Sequence, residues 1–181
     1  MHRIHGLPIL GLPIMALVAG CTTPAATTPA TPPVAVIAVA SASGAPLGQL
    51  TLISEGSGYR LAGKLSGLPA SATLGSHLHT TGRCDAPGFT TAGGHLNPSS
   101  HQHGTLNPNG AHLGDLPNIV TSASGEATVD AMVAGTRMAL DTVLFDADGT
   151  AFVVHAGPDD YRTDPSGNSG SRIACGVLVH Q

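Results

Sequence analysis

The chain has 181 residues, a length that fits one domain of ordinary size. Its 24 Gly and 14 Pro argue against long helices, and only 10% of the residues are charged. With a formal net charge of −4, 3% aromatic residues and no basic stretch, the chain is not expected to bind nucleic acid.

The N-terminus has the pattern of an export signal over residues 1–20. Arg3 precedes an apolar stretch from Gly6 to Gly20, which is too short, and too broken by proline, to span a bilayer. The run Val18-Ala19-Gly20-Cys21 resembles a bacterial lipobox, which implies cleavage before Cys21 and a lipid on its sulfur. The alternative is an ordinary signal peptide with a cysteine after it by chance.

Residues 21–33 are predicted to be a tether, because their Thr/Pro/Ala composition cannot build a core. The folded domain would then span residues 34–181. We therefore expect a protein of the periplasm or cell envelope, whose only contact with the membrane is the lipid at Cys21.

Short runs rich in β-branched residues predict an all-β domain, a sandwich or barrel of about eight strands. The runs are PVAVIAVA (33–40), GQLTLIS (48–54), PNIVTS (117–122), AFVVHA (151–156) and ACGVLV (174–179).

Two cysteines, Cys84 and Cys175, lie in this domain. An even pair in an exported domain is most simply one disulfide, and two free thiols are the alternative. The bond would close a loop of about 90 residues, which stabilises by roughly 4–5 kcal/mol in the chain-entropy model.

Histidines cluster in three segments of the domain. His77 and His79 are two apart, so in a β-strand they share one face and could bind one metal ion, while Leu78 points into the core. His155 ends an apolar strand and is followed by Asp159 and Asp160. A surface pair and a structural histidine are the respective alternatives.

The third segment is a long polar stretch, residues 93–117. A long ordered loop in a compact domain usually has a function, and His and Asp side chains are suitable ligands for tetrahedral zinc. Loop histidines that bind no metal are the alternative. The candidate ligands are His95, His101, His103, His112 and Asp115.

Taken together, these segments resemble the Cu,Zn superoxide dismutases over nearly all of residues 34–181. The matching stretches are GLPASATLGSHLHTTGRC (67–84), GGHLNPSSHQHG (93–104), AHLGDLP (111–117), HAGPDDY (155–161) and GNSGSRIACGV (167–177). Two departures are Ala111, where the family usually has Gly, and Ser76, where it usually has an aromatic residue.

The resemblance implies an eight-stranded antiparallel Greek-key sandwich or flattened barrel with long metal-binding and active-site loops. It also implies an enzyme with copper and zinc as cofactors. Two superoxide anions and two protons would be converted to dioxygen and hydrogen peroxide.

The resemblance also implies a role for each matching residue. Copper would be bound by His77, His79, His95 and His155, and zinc by His95, His103, His112 and Asp115. The other roles are Asp159 as the carboxylate that links a copper histidine to a zinc histidine, Arg172 as the active-site arginine, and Cys84 with Cys175 as the disulfide.

Two of these assignments had local competitors. His103 is preferred to His101 because Gly104 follows it, and Asp159 is preferred to Asp160 because it lies four residues after His155. His101 and His180 have no assigned role.

Two other functions compete with the enzyme: a copper store or carrier on the same fold, and a purely structural lipoprotein. The full set of ligands and Arg172 favours the enzyme. The oligomeric state, monomer or homodimer, is left open.

Overall fold

The computed structural model describes residues 1–2 and 32–181, and residues Thr31–Gln181 form one compact unit. The predicted export signal and nearly all of the predicted tether, Cys21 included, lie outside the described residues. In the part of the chain that is described, no helix is long and apolar enough to cross a membrane.

Residues 32–181 form ten strands, one short α-helix and a 3₁₀ turn at Thr90–Ala92. The strands are β1 (Ala35–Ser41), β2 (Pro46–Glu55), β3 (Gly58–Leu65), β4 (Thr73–Leu74), β5 (Ser76–His79), β6 (Ile119–Val120), β7 (Ala127–Val133), β8 (Ala151–His155), β9 (Arg172–Val177) and β10 (Val179–His180). The helix α1 covers Arg137–Leu144.

Eight of the strands form one antiparallel sheet in the order β5-β8-β9-β1-β2-β3-β7, with β10 also paired to β1. Strands β4 and β6 form a separate pair. Strand β3 pairs with β7, which follows it after a long connection, and strand β9 pairs with β1. Neighbours in the sheet are therefore not always neighbours in sequence. The expected all-β antiparallel fold is confirmed.

Burial along the strands shows which side faces the core. In β7 every second residue is buried, the period of a strand with one face in water. In β8 every residue is buried. Phe152 and Val154 pack in the main core, while Ala151 and Val153 pack in a second cluster with Phe89. A loop must therefore cover the outer face of β8.

Strands β3, β4 and β7 and the helix lie outside the predicted β runs. Strand β3 has no β-branched residue and contains Gly63, yet ladders on both sides, to β2 and β7, hold it extended. The helix is only 8 residues long; Thr136 caps it by accepting the Ala139 N–H, and Leu140 and Leu144 pack into the core. Tertiary contacts rather than local propensity explain strand β3 and helix α1.

The expected disulfide between Cys84 and Cys175 is present. It joins the loop that follows β5 to strand β9, and Cys175 belongs to the second cluster beside Val153. The bond thus attaches the covering loop to the sheet.

Replacing both cysteines, with Cys84→Ser and Cys175→Ser, should lower the free energy of unfolding of the metal-free protein by about 4–5 kcal/mol, because the open loop adds chain entropy to the unfolded state. The two residues are 91 apart in sequence. Urea unfolding followed by circular dichroism measures the change. A reductant should destabilise the wild type similarly and leave the double variant unchanged; equal midpoints without reductant would contradict the prediction.

Candidate metal centre

The register between β5 and β8 places three histidines on one face of the sheet. His77 pairs with Val153 and His79 pairs with Ala151, and His155 lies two residues beyond Val153 on the same strand face. Leu78 is fully buried in the main core on the opposite face. The strand geometry expected for this pair of histidines is therefore present.

A loop brings the remaining histidines to the free edge of β5. The Leu78 N–H donates to the Gly114 carbonyl at 2.9 Å, and the Leu96 N–H donates to the Leu78 carbonyl at 2.8 Å. A Cβ on Gly114 would collide with the Leu78 carbonyl oxygen, so this approach requires glycine. As a result His95 lies opposite His79 and Asp115 lies opposite His77.

The first set of convergent side chains is the four-histidine group. One ring nitrogen from each member lies within 4.8 Å of the others, and every member is buried. These nitrogens make no hydrogen bond, which is costly for a buried polar atom unless a metal ion binds it. They are Nδ1 of His77 and Nε2 of His79, His95 and His155.

Backbone carbonyls orient two members of this group. Nδ1 of His79 donates to the Gly93 carbonyl at 3.0 Å, and Nδ1 of His155 donates to the Gly170 carbonyl at 3.0 Å. Because a carbonyl can only accept, each bond leaves the Nε2 lone pair free for a metal. Sequence reasoning missed both glycines, since a carbonyl acceptor has no side-chain signal.

The second set is the Asp115 group, in which three imidazoles converge on one carboxylate oxygen. Asp115 Oδ1 lies 3.0 Å from Nδ1 of His95, 3.0 Å from Nδ1 of His103 and 3.2 Å from Nδ1 of His112. Asp115 Oδ2 accepts the Gly104 N–H at 2.8 Å, which fixes the carboxylate. Three nitrogens and one oxygen are a donor set that zinc accepts.

Spacing alone would also permit His77 in place of His112 as a partner of Asp115. However, His77 Nδ1 already faces the four-histidine group, and its Nε2 is bonded elsewhere. His112 Nδ1 has no such second role, so His112 fits the Asp115 group better. His95 belongs to both groups, with Nε2 in one and Nδ1 in the other.

Asp159 connects the two groups. Its Oδ2 accepts the His77 Nε2–H at 2.8 Å, and its Oδ1 accepts the His103 Nε2–H at 2.9 Å. Asp160 is exposed and bonds to Thr163, away from both groups. Likewise His103 is fully buried, whereas His101 is exposed.

Burial sets the charge of the four-histidine group. It lowers the pKa of His77 and of His155 to about 4, and that of His79 to about 2. The pKa of His95 is also lowered, again mainly by burial. Imidazoles that remain neutral near pH 7 keep the lone pairs that a metal needs.

Around Asp115 and Asp159 the charged forms of the side chains are favoured instead. Burial lowers the pKa of His103, but the close carboxylates of Asp115 and Asp159 outweigh it and raise that pKa to about 9. Burial would likewise raise the pKa of both aspartates, yet their close approach to His103 holds each well below its usual range. Both carboxylates are therefore ionised and suited to a dication.

Arg172 lies in a pocket of about 450 Å³ that also exposes His95 and His155. Its guanidinium donates to the Phe89 carbonyl at 2.7 Å and to the Gly93 carbonyl at 2.6 Å. The Gly93 carbonyl thus positions both Arg172 and a ring of the four-histidine group. A fixed cation here favours a small anion next to the metal site.

An antiparallel β-domain with a shared histidine between two ligand groups defines a dinuclear metalloprotein. The family model of "Copper/zinc superoxide dismutase (SODC)" matches residues 47–178. The chain belongs to this family, an oxidoreductase family whose cofactors, copper and zinc, fit the two groups of ligands.

Curated relatives and a solved structure agree with this assignment. The chain is 43% identical to "Superoxide dismutase [Cu-Zn] 1" of Aquifex aeolicus over 142 residues, 77% of this chain and 84% of the relative. It is 40% identical to "Superoxide dismutase [Cu-Zn]" of Caulobacter vibrioides over 152 residues, 80% and 84% of the two chains. The crystal structure of a SOD-like protein from Bacillus subtilis has a TM-score of 0.74 at 36% identity, covering 80% of this chain and 97% of that one.

The variant Asp159→Asn should weaken the binding of both metals by about 10–100-fold, the usual effect of losing such a partner of a metal-bound histidine. The N–H groups of His77 and His103 reach different oxygens of the carboxylate, and asparagine would place an NH2 donor, which cannot accept, at one of the two positions. Competition with a chelator of known affinity measures the change for each metal.

Asp160→Asn is the matched control, because it makes the same chemical change at the neighbouring exposed residue. Its metal affinities should equal those of the wild type. Wild-type affinities in Asp159→Asn would show that this carboxylate does not support the ligands.

Proposed function

We propose that this protein is a superoxide dismutase, converting two superoxide anions and two protons to dioxygen and hydrogen peroxide. The observation that carries the proposal is the shared pocket. His95 and His155, two of the four histidines whose buried ring nitrogens make no hydrogen bond, line this pocket, and Arg172 lines it with them.

The two groups of ligands would hold different metals. His77, His79, His95 and His155 would hold copper, and His95, His103, His112 and Asp115 would hold zinc. When bound, copper would supply the one-electron oxidation and reduction of superoxide, and zinc, which does not change its oxidation state, would keep its ligands in place.

His95 contributes a ring nitrogen to each group, Nε2 to the four-histidine group and Nδ1 to the Asp115 group. To hold both metals, its imidazole would have to lose both protons, which two nearby dications would favour.

Arg172 would attract and orient the anion. Two carbonyls fix its guanidinium, so its charge faces the pocket without the entropic cost of ordering a free side chain. Cys175, three residues further along β9, anchors this strand through the disulfide.

The same fold could serve a protein that stores or carries copper without catalysis. The ligands alone do not separate the two functions, because both require tight copper binding. Arg172 favours the enzyme, since a fixed cation beside the site serves an anionic substrate and is not needed to hold copper.

We also propose that the protein acts outside the cytoplasm, where it protects the cell envelope from superoxide. The N-terminal pattern of residues 1–20, the lipobox-like run before Cys21 and the Pro-rich stretch that follows support export and a lipid anchor. A disulfide also suits an oxidising compartment.

With copper and zinc bound, the protein should dismutate superoxide with a rate constant near the diffusional ceiling of about 10⁸–10⁹ M⁻¹s⁻¹, for which superoxide dismutase is itself a standard example. The variant His155→Ala should abolish this rate because it removes a copper ligand. Pulse radiolysis of fully loaded protein measures the rate. A negligible rate at full copper occupancy would leave the storage or carrier function.

The variant Arg172→Gln should lower the same rate constant by about tenfold and weaken its dependence on ionic strength, an effect for which superoxide dismutase is again a standard example. Arg83→Gln is the matched control. Arg83 is exposed, pairs with Asp85 at 2.7 Å and carries the same charge outside the pocket. Equal losses in the two variants would mean that net charge, not position, matters.

Cys21→Ser in the full chain should release the protein from bacterial membranes into the soluble envelope fraction, because no sulfur remains for the lipid. Fractionation of cells followed by detection of the protein measures the change. If both forms fractionate with the membranes, or both are soluble, Cys21 is not an anchor.

A further inference from the structure

His101, which the metal groups do not use, is held in place on the wall of the pocket. The side chain of Asn97 accepts the His101 N–H at 3.0 Å and donates to the His101 carbonyl at 2.8 Å. The residue is exposed, yet it lines the same pocket as His155 and Arg172. These two hydrogen bonds fix the backbone of His101, although the residue is exposed.

The ring of His101 is oriented too. Its Nδ1 lies 3.1 Å from the Ala111 carbonyl oxygen, which can only accept, so Nδ1 carries the hydrogen. In the neutral ring Nε2 then presents a lone pair. A lone pair repels an anion such as superoxide and binds a metal cation.

A carboxylate from the other loop lines the same pocket. Asp164 Oδ1 accepts the His103 N–H at 2.6 Å, and the side chain remains 50% exposed. It lies 3.9 Å from Nε2 of His112, so it sits beside the outer edge of the Asp115 group. A negative charge here opposes the entry of an anionic substrate and favours the entry of a cation.

We propose that His101 and Asp164 form an entry site that captures copper(II) at the mouth of the pocket before it passes to the four-histidine group. The two residues belong to the two loops that border the pocket, and each offers a donor that copper(II) accepts. The inference rests on the proposed function only in taking the four-histidine group as the final copper site.

Copper uptake by protein that is already loaded with zinc tests the proposal. Stopped-flow mixing with copper(II) alone would follow the visible absorption of copper in the four-histidine group. We expect His101→Gln and Asp164→Asn each to take up copper about tenfold more slowly, the low end of the gain from a focusing cleft. Asparagine still offers an oxygen to the His103 N–H, so the loop contact is kept.

His180→Gln is the matched control, because His180 is an exposed histidine outside this pocket. It should load at the wild-type rate. The final copper content per chain should be the same in all variants, since the four-histidine group is intact, and this shows that each variant is folded.

Slow uptake in both variants, with wild-type final copper content, supports the entry site. Wild-type uptake in either variant overturns it. The assay needs no turnover, so a wild-type protein that fills with copper but does not dismutate superoxide would refute the proposed function and leave the uptake result valid.

Discussion

The rest of the site depends on the two hydrogen bonds that the carboxylate of Asp159 accepts. It is fully buried, and its two oxygens accept N–H groups from His77 and His103, which are also fully buried. An ionised carboxylate in such surroundings persists only when every strong partner is present. These two hydrogen bonds determine which ring nitrogen of His77 and of His103 stays free to bind a metal. They also fix the position of the four-histidine group relative to the Asp115 group.

The covering loops supply the second constraint. Strand β8 is buried on both faces, and the outer face is closed by a loop that the disulfide attaches to β9. The Gly93 carbonyl at the end of this loop accepts hydrogen bonds from His79 and from Arg172. The Gly93 carbonyl therefore links the position of the Arg172 guanidinium to that of His79 in the four-histidine group.

The pocket contains both signs of charge, which suits a protein that must admit a metal once and a small anion many times. Arg172 is held by two backbone carbonyls, whereas Asp164 is half exposed. Copper in the four-histidine group would add positive charge. The balance of charge in the pocket would then shift toward attraction of an anion.

Much of the fold class could be predicted from the sequence, because runs such as 48–54 and 151–156 carry a strong β signal. Strand β3 could not, since its residues have low β propensity and only the flanking strands hold it. Of the site, the side-chain ligands could be predicted as a resemblance, while carbonyl partners such as Gly93 and Gly170 could not. Backbone oxygens are present at every residue and are distinguished only by position.

The sequence by itself determined the chemistry available to this protein: imidazole and carboxylate donors at spacings that suit strands and one long loop, and two cysteines. Only the tertiary structure decided which donors meet. Local sequence barely separates His103 from His101 or Asp159 from Asp160, yet in each pair one side chain is buried in the site and the other is exposed. The reason is that ligand convergence depends on strand register and loop closure, which join residues as far apart as His77 and Asp159.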